Sequence, residues 1–390
     1  MNVKPSLQPL MWGISAALIM VASILLLAGD GKVVIREKPE TATDPLNGTY
    51  LINGMKITLN NGRHEMEAAP GSATKIKTSL QGPLVYANMN DDGHEDAAFI
   101  LIHDPGGSGI FYYVAAALRL DGLYQGTNAV FLGDRISLQG LHIRNGLVAV
   151  NFTDRRPGEP MSAPPTVAKS KYVFIEKNEL KEIPPLMTGE QIREGWVIIG
   201  HEVRSIAPCP ENREHWLLGG SPALKEIVAA YHEALPRPRP YTPLFMILTG
   251  WPTDPPQDGF GADYDVAFFA TQLIRMWPRG NCRSDKIYLE SPLPGDDIDS
   301  PLSIHGHAQG TWFFEGDFPI FLLDSNDQII ATKFATAQKD WMTDKFVPFR
   351  GTITFEKPPS GGMGTLILKK SNPTGLPEHD DVLEIPVSFD

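Results

Sequence analysis

Five short segments interrupt the C-terminal part of the chain: SPLPG (291–295), GTWFF (310–314), LLD (322–324), DWM (340–342) and NPTGLP (372–377). Between them lie short runs in which apolar and polar residues alternate, such as Leu302–Ala308 and Gly364–Lys369. Alternation with a period of two indicates strands that bury one face, and frequent turns between short strands are typical of a β-sandwich. We therefore predict that residues 285–390 form a β-sandwich, a module that binds or spaces rather than reacts.

The residues of these segments and their order along the chain closely resemble those of the immunoglobulin-like domain first described in bacterial spore-germination proteins. The resemblance covers nearly all of residues 285–390. It implies an immunoglobulin-like β-sandwich and an association with the bacterial cell envelope. It does not imply sporulation or a particular activity, because a shared fold does not fix function.

The composition of the whole chain limits its class. It has 390 residues, a formal net charge of −12 and an apolar fraction of 42%, and a chain of this length divides into about two to four domains. The 36 glycines and 34 prolines favour many short strands joined by turns. The negative charge argues against a nucleic-acid partner, because phosphate binding needs a basic surface. A mainly β, multidomain protein is predicted.

An uncharged run of 19 residues from Leu10 to Ala28 predicts a membrane segment. As a helix it would extend about 28 Å, which is enough to cross a bilayer core of ~30 Å. Lys4 precedes the run and Asp30 follows it, so the N-terminus is expected in the cytoplasm and the bulk of the chain outside. Residues 1–30 are therefore predicted to be a signal anchor of a single-pass membrane protein, and residues 31–44 a polar linker.

Two other interpretations of the apolar run stay open. A cleaved signal peptide would make the protein secreted, and a buried core helix would place the run inside a domain. The run is longer than the usual h-region of about 7–15 residues, and no clean A-x-A cleavage site follows it. An uncleaved anchor in the bacterial cell membrane, with a periplasmic or cell-surface bulk, is therefore favoured.

Residues 45–185 are predicted to form an antiparallel β domain. Asn53-Gly54 and Asn145-Gly146 each separate two apolar runs, which is the strongest short signal for a type I′ hairpin. Ala97–Ile102 (AAFILI) is continuously apolar, which suits a central strand covered on both faces.

Residues 186–284 are predicted to form a small OB-like β-barrel with one helix. Ser221-Pro222 begins that helix, with serine as N-cap and proline in the first turn. The Cys209-Pro210 start, the strand at 243–250 and the Asp258–Phe260 stretch resemble the OB-type C-terminal domain of NlpE-like envelope lipoproteins.

The two cysteines, Cys209 and Cys282, lie near the two ends of this region. In an exported protein an even pair of cysteines predicts a disulfide, and neither belongs to a C-x-x-C motif typical of zinc or redox sites. A disulfide that braces the barrel is therefore predicted, with two separate thiols as the alternative.

The loop NMNDDGHED (88–96) carries oxygen side chains at its first, third, fifth and ninth positions, with glycine at its sixth. Calcium needs about 6–8 hard oxygen ligands, and a glycine lets a chain wrap around the ion. The loop resembles the calcium loops of integrin-type β-propeller blades. By that resemblance, four side chains and one backbone carbonyl would bind calcium: the side chains of Asn88, Asn90, Asp92 and Asp96, and the carbonyl of His94. The alternative is an acidic turn held by Asx hydrogen bonds.

Other candidate sites are weaker. His305 and His307 lie two apart on a predicted strand, so both face one side, but no third metal ligand is identifiable. A polysaccharide-cleaving enzyme would need paired carboxylates in a cleft. Four acids in a Pro/Gly-rich stretch are candidates for that pair: Asp254, Asp258, Asp263 and Asp265. Solvated loop acids explain them more simply.

These features together predict a non-catalytic, membrane-anchored scaffold or binding protein of the bacterial envelope. Its expected partners are the cell membrane, through residues 10–28, and an envelope protein or a cell-wall glycan. Two rivals are an envelope-stress or metal sensor and an enzyme that acts on peptidoglycan or polysaccharide.

Overall fold

The computed structural model describes residues 40–210, 213–234, 241–359 and 361–390. The predicted anchor at 1–30, with its apolar run at 10–28, lies outside the described residues. No helix within the described ranges is long and apolar enough to span a membrane.

Thirteen strands lie between residues 40 and 185, and we call this part the first domain. They are β1 Thr41–Ala42, β2 Thr49–Ile52, β3 Met55–Thr58, β4 Arg63–Glu67, β5 Lys75–Ala87, β6 Asp96–Asp104, β7 Phe111–Leu120, β8 Leu123–Gly126, β9 Val130–Asp134, β10 Ser137–Arg144, β11 Leu147–Asp154, β12 Val167–Glu176 and β13 Glu179–Glu182. One sheet has the order β1-β8-β7-β6-β5-β4, with β9 also on β7, and a second has the order β10-β11-β12-β13. All pairs are antiparallel, as the sequence predicted.

Strands β6 and β7 are apolar along their length because both faces of the larger sheet are covered. Ala98 and Val114 on one face pack against the four-stranded sheet. Phe99 and Ala115 on the other face pack against the β2–β3 hairpin. A strand buried on both faces has no reason to alternate, so the continuous run at 97–102 occupies the predicted central position.

The predicted linker at 31–44 extends too far toward the C-terminus. Thr41–Ala42 pairs with Tyr124 and Gln125 of β8. Asp44 caps the following 3-10 helix by accepting a hydrogen bond from the Leu46 amide at 2.8 Å. A two-residue edge strand has no hydrophobic pattern, so the sequence could not distinguish it from a linker.

The second part of the chain forms a closed five-stranded barrel with one helix. Its elements are β14 Gln191–Ile199, β15 Arg204–Pro208, β16 His215–Gly219, α1 Ser221–Ala234, β17 Leu244–Thr253 and β18 Ala267–Met276. The barrel closes in the order β14-β15-β16-β18-β17, and only β16 and β18 among these pairs run parallel. Ile227 and Tyr231 on the buried face of α1 join the core of the barrel. A small barrel with one helix is what the sequence predicted.

The third part is a β-sandwich built from one seven-stranded sheet that folds over. Its strands are β19 Ile287–Ser291, β20 Leu302–Gln309, β21 Asp317–Leu323, β22 Ile329–Ala337, β23 Phe346–Ile353, β24 Met363–Lys369 and β25 Val382–Ser388. The order is β19-β20-β23-β22-β21-β24-β25. Strands β22 and β23 pair only at Thr336↔Arg350 and Ala337↔Phe349, so the sheet separates there into two layers. Trp312 and Phe313 lie in the core between these layers.

Four short 3-10 helices complete the secondary structure of the described ranges. They are Pro45–Asn47, Phe260–Asp263, Gly310–Trp312 and Pro377–His379.

The predicted disulfide is present. Cys209 and Cys282 are bonded, and their Cα atoms are 5.2 Å apart. Both cysteines are buried, and they belong to the same hydrophobic cluster as Trp196, Phe245 and the sandwich core. The bridge therefore joins β15 of the barrel to the segment that leads into the sandwich.

The three domains pack on one another through apolar side chains. Ile247 and Ile274 on the outside of the barrel pack in one cluster with Ile183 and Phe174, which belong to the first domain. Residues Glu40–Asp390 consequently form one compact unit. Continuous burial of this kind favours fixed domain positions over free movement.

Candidate functional site

A buried polar network lies where the three domains meet, and we call this place the junction. The Asn145 side chain donates to Glu194 Oε2 at 2.6 Å and to the Asn281 carbonyl at 3.0 Å. Its Oδ1 accepts from the backbone amide of Asn281 at 3.2 Å, and the backbone amide of Asn145 donates to Ser284 Oγ at 3.2 Å. One side chain of the first domain thus bonds the barrel and the linker that enters the sandwich.

The β10–β11 hairpin carries Asn145 into the junction. Arg144 pairs with Leu147, so Asn145 and Gly146 form a two-residue turn, with φ of 47° and 70°. Both values are positive, which is the predicted type I′ geometry. A Cβ on Gly146 would lie 2.7 Å from the Trp277 ring and 2.9 Å from Arg275, so the close packing requires glycine here.

Two arginines of the barrel hold the loop at 88–95 against the junction. Arg279 Nη1 donates to the Asp91 carbonyl at 2.7 Å and to Asp91 Oδ1 at 2.9 Å. Arg275 Nη1 donates to the Met89 carbonyl at 3.1 Å and lies 4.1 Å from the Trp277 ring centre. Burial lowers the pKa of Arg275 to about 10, so the guanidinium stays charged at neutral pH.

A cavity of about 260 Å³ opens beside the junction. The first domain contributes the loop at 86–95 and the turn at 143–146, the segment after the barrel contributes residues from 277–284, and the sandwich contributes Tyr288, Glu290 and Phe346. We call it the junction cavity. Concave sites of this kind between domains are the usual places for small ligands.

Aromatic rings form much of the cavity wall. Tyr288 stacks on His307 with ring centres 5.2 Å apart and lies 5.4 Å from Phe346. Trp277 is buried, whereas Tyr86 is 46% exposed at the opening. Such rings offer flat apolar faces to a ligand.

The arginines at the cavity are paired with acids, whereas Glu95 has no ion pair among the described residues. Arg279 is bonded to Asp91, and Arg144 forms an ion pair with Glu194. Burial raises the pKa of Glu194, while Arg144 and the Asn145 side chain act in the opposite direction. Glu95 has no ion pair among the described residues, so its charge is available to a ligand.

Glu290 is flanked by histidines rather than by a permanent cation. Its carboxylate is 3.3 Å from His307 Nδ1 and 3.8 Å from His305 Nε2, so the two histidines share one side of β20 as predicted. Burial lowers the pKa of His307, against the attraction of Glu290 and Glu95. Among the described ranges, no group of three or more His, Cys, Asp or Glu is placed to hold a metal ion.

The predicted calcium residues are divided between the cavity wall and the loop interior. Asn88 and His94 line the cavity. Asn90 and Asp92 bond each other at 2.9 Å, and Asp92 also accepts from the His94 amide at 2.8 Å. The bond from the His94 amide, with that from the Asp92 amide to Asn90 Oδ1 at 3.2 Å, is an Asx hydrogen bond of the alternative interpretation.

Asp96, the last of the predicted calcium ligands, is fully buried. Its two oxygens accept hydrogen bonds from the backbone amides of Met89 at 2.8 Å and Arg119 at 2.9 Å. Burial raises the pKa of Asp96 to about 6 although both bonds favour the carboxylate. Calcium binding by this loop stays a prediction.

That prediction is tested by thermal unfolding of the full chain with calcium or with a chelator. If the loop binds the ion, calcium at one hundred times its Kd raises the free energy of unfolding by about 2.7 kcal/mol. The rise should disappear in Asp92→Ala and persist in Glu356→Ala, because Glu356 is an exposed acid of the sandwich. Superimposable curves with calcium and chelator would leave the loop as an acidic turn.

The other predicted site residues lie away from the junction cavity. The four acids of the β17–β18 connection are all exposed: Asp254, Asp258, Asp263 and Asp265. Asp265 forms an ion pair with Arg213. Of the aromatic residues of the sandwich turns, Trp312 and Phe313 are core residues, whereas Phe314 is 44% exposed.

Sequence reasoning missed the residues that build the cavity. Arg144, Arg279, Tyr288 and Glu290 belong to no motif, and they meet only because the domains pack. Two signals were available: the 88–96 loop, which supplies Asn88 and His94 to the wall, and Asn145-Gly146, which predicted the turn but not its burial.

Of the resemblances predicted from the sequence, the comparisons with known proteins support only that of the sandwich. Residues 286–375 match the family model for the immunoglobulin-like domain of bacterial spore germination. The C-terminal domain is therefore a domain of that family, as its turns predicted. No curated protein and no solved structure matches the chain, so the likenesses proposed for the barrel and the 88–96 loop have no further support.

Proposed function

We propose that this protein is a non-catalytic binding protein of the bacterial cell envelope that holds one unit of a cell-wall polymer in the junction cavity. The observation that carries the proposal is a cavity walled by the first domain, the segment after the barrel and the sandwich, all within one compact unit. The immunoglobulin-like domain is of a kind tied to spore germination, which favours an extracytoplasmic place. Residues 10–28 would anchor the chain in the membrane.

The size of the cavity favours a polymer unit over a protein surface. A volume of about 260 Å³ accommodates a sugar ring or an amino-acid side chain. A stable protein partner would instead need a contact face of about 800 Å² on each side. Ring faces beside polar groups also suit saccharides, which have apolar faces and hydroxyl edges.

The exposure of the cavity acids favours binding over cleavage. A glycosidase needs one carboxyl group that burial keeps protonated, opposite a second carboxylate. Of the three acids that line the cavity, Asp91 is paired with Arg279, and Glu95 and Glu290 are exposed. Neither has the buried environment that a general acid requires.

The proposal is tested by co-sedimentation of the full chain, in neutral detergent, with purified cell-wall sacculi. We expect binding, and we expect Tyr86→Ala to weaken it about tenfold because the exposed ring at the cavity opening is lost. Phe334→Ala is the matched control, since Phe334 is a 60% exposed aromatic residue of the sandwich outside the cavity.

Equal binding by both variants, or no binding to sacculi, would contradict the proposal. Release of soluble wall fragments by the protein would instead support the enzyme.

A further inference from the structure

We propose that the junction cavity recognises a protonated amino group on its ligand. This inference rests on the proposed function and specifies the chemistry of the unit that the cavity holds. The observations behind it are the paired arginines, the two acids without an arginine or lysine partner in the described residues, and the aromatic wall.

The arginines of the cavity are paired with acids, whereas Glu95 and Glu290 have no arginine or lysine partner among the described residues. Asp91 accepts from Arg279 at 2.9 Å, and Glu194 pairs with Arg144. Glu95 has no ion pair in the part of the chain that the structure describes. Counting one charge for each ionised group, the wall therefore presents a surplus of negative charge toward a ligand.

The groups that surround Glu290 do not cancel this surplus. His305 and His307 are its nearest basic neighbours, and burial lowers the pKa of His307, which disfavours its charged form. Lys339 acts on His307 from outside the cavity wall. A cation that enters the cavity would therefore reach Glu290 without displacing a fixed partner.

Aromatic faces strengthen the preference for a cation. A cation over the face of Trp, Tyr or Phe is attracted by the ring quadrupole, and this attraction grows when the pair is shielded from water. Trp277 already binds a cation in this way, because the Arg275 guanidinium lies 4.1 Å from its ring centre. Tyr86, Tyr288 and Phe346 line the same cavity and have no cation over their rings among the described contacts.

One nitrogen of the cavity wall would favour an anionic ligand instead. Arg144 Nε is buried and has no hydrogen-bond partner among the described residues. An anionic ligand that bonded this nitrogen would be expected to bind without needing Glu95 or Glu290. The titrations described next therefore include acetate as a small anion.

Two components of a cell wall carry protonated amines: a sugar without its N-acetyl group and a side-chain amine of a peptide. Titration calorimetry on the full chain at pH 7 distinguishes them with two matched pairs. The first pair is the glucosamine disaccharide and its N,N′-diacetyl form. The second pair is Nα-acetyl-lysine amide and Nα-acetyl-norleucine amide, which has a similar shape and no charge.

We expect the charged member of at least one pair to bind about tenfold more tightly than its neutral counterpart, and the pair that responds identifies the source. Glu290→Gln and Glu95→Gln should each remove most of this difference. Glu356→Gln should leave it unchanged, because Glu356 is an exposed acid outside the cavity.

Equal affinities within both pairs, or binding of acetate in place of the amines, would overturn the inference. Sacculus binding that depends on Tyr86 but not on Glu290 would overturn it while leaving the proposed function in place. No binding of the wild-type protein to sacculi would overturn the proposed function.

Discussion

Replacing Cys209 and Cys282 together by alanine is expected to lower the free energy of unfolding by about 4 kcal/mol. The bond closes a loop with a sequence separation of 73 residues, and opening it releases that loop in the unfolded chain. The two sulfur atoms also leave a buried cluster that includes Trp196 and Phe245, so packing is lost as well. Denaturant unfolding of the full chain measures the difference.

The reduced wild-type protein provides the control for this double variant. It keeps both sulfur atoms and loses only the bond, so it should show most of the same loss of stability. A change below about 1 kcal/mol in both cases would show that the barrel does not depend on the bridge.

Asn145→Ala is expected to lower the free energy of unfolding by about 4 kcal/mol, because several penalties add. The Asn281 amide loses its acceptor, and buried Glu194 loses a donor at 2.6 Å. Alanine also disfavours the φ of 47° that the turn requires. Unfolding in denaturant measures the sum, and Asn145→Gly measures it without the backbone penalty.

Asn53→Ala is the matched control for the junction. Asn53 has the same position in a type I′ turn, with φ of 51°, and its side chain makes one bond, to Tyr113 Oη at 2.8 Å. It is exposed and distant from the junction residues in sequence, so its loss should cost about 1–2 kcal/mol. Equal effects of the two substitutions would contradict the claim that Asn145 holds the domains together.

Local patterns predicted the local structure of this chain well. Asn53-Gly54 and Asn145-Gly146 encode their turns because few residues tolerate the positive φ that type I′ geometry needs. The strands of the sandwich alternate because each has one face in the core. Thr41–Ala42 was missed because a two-residue edge strand has no hydrophobic pattern.

The junction could not be predicted, because its contacts join residues that are distant in sequence. Asn145 meets Asn281 across 136 positions, and Arg279 meets Asp91 across 188. No periodicity or motif encodes such pairs. The loop at 88–96 shows a related limit: the same oxygen side chains serve a calcium ion or Asx turns, and Asp96 bonds two amides in this structure.

Hydrogen–deuterium exchange of the full chain, with and without soluble sacculus fragments, tests the central claim most directly. A ligand in the junction cavity contacts the first domain, the segment after the barrel and the sandwich, so the account predicts slower exchange in three separate segments: 86–95, 143–146 and 277–290. Protection confined to a single domain, such as the barrel loop at 254–266, would contradict it.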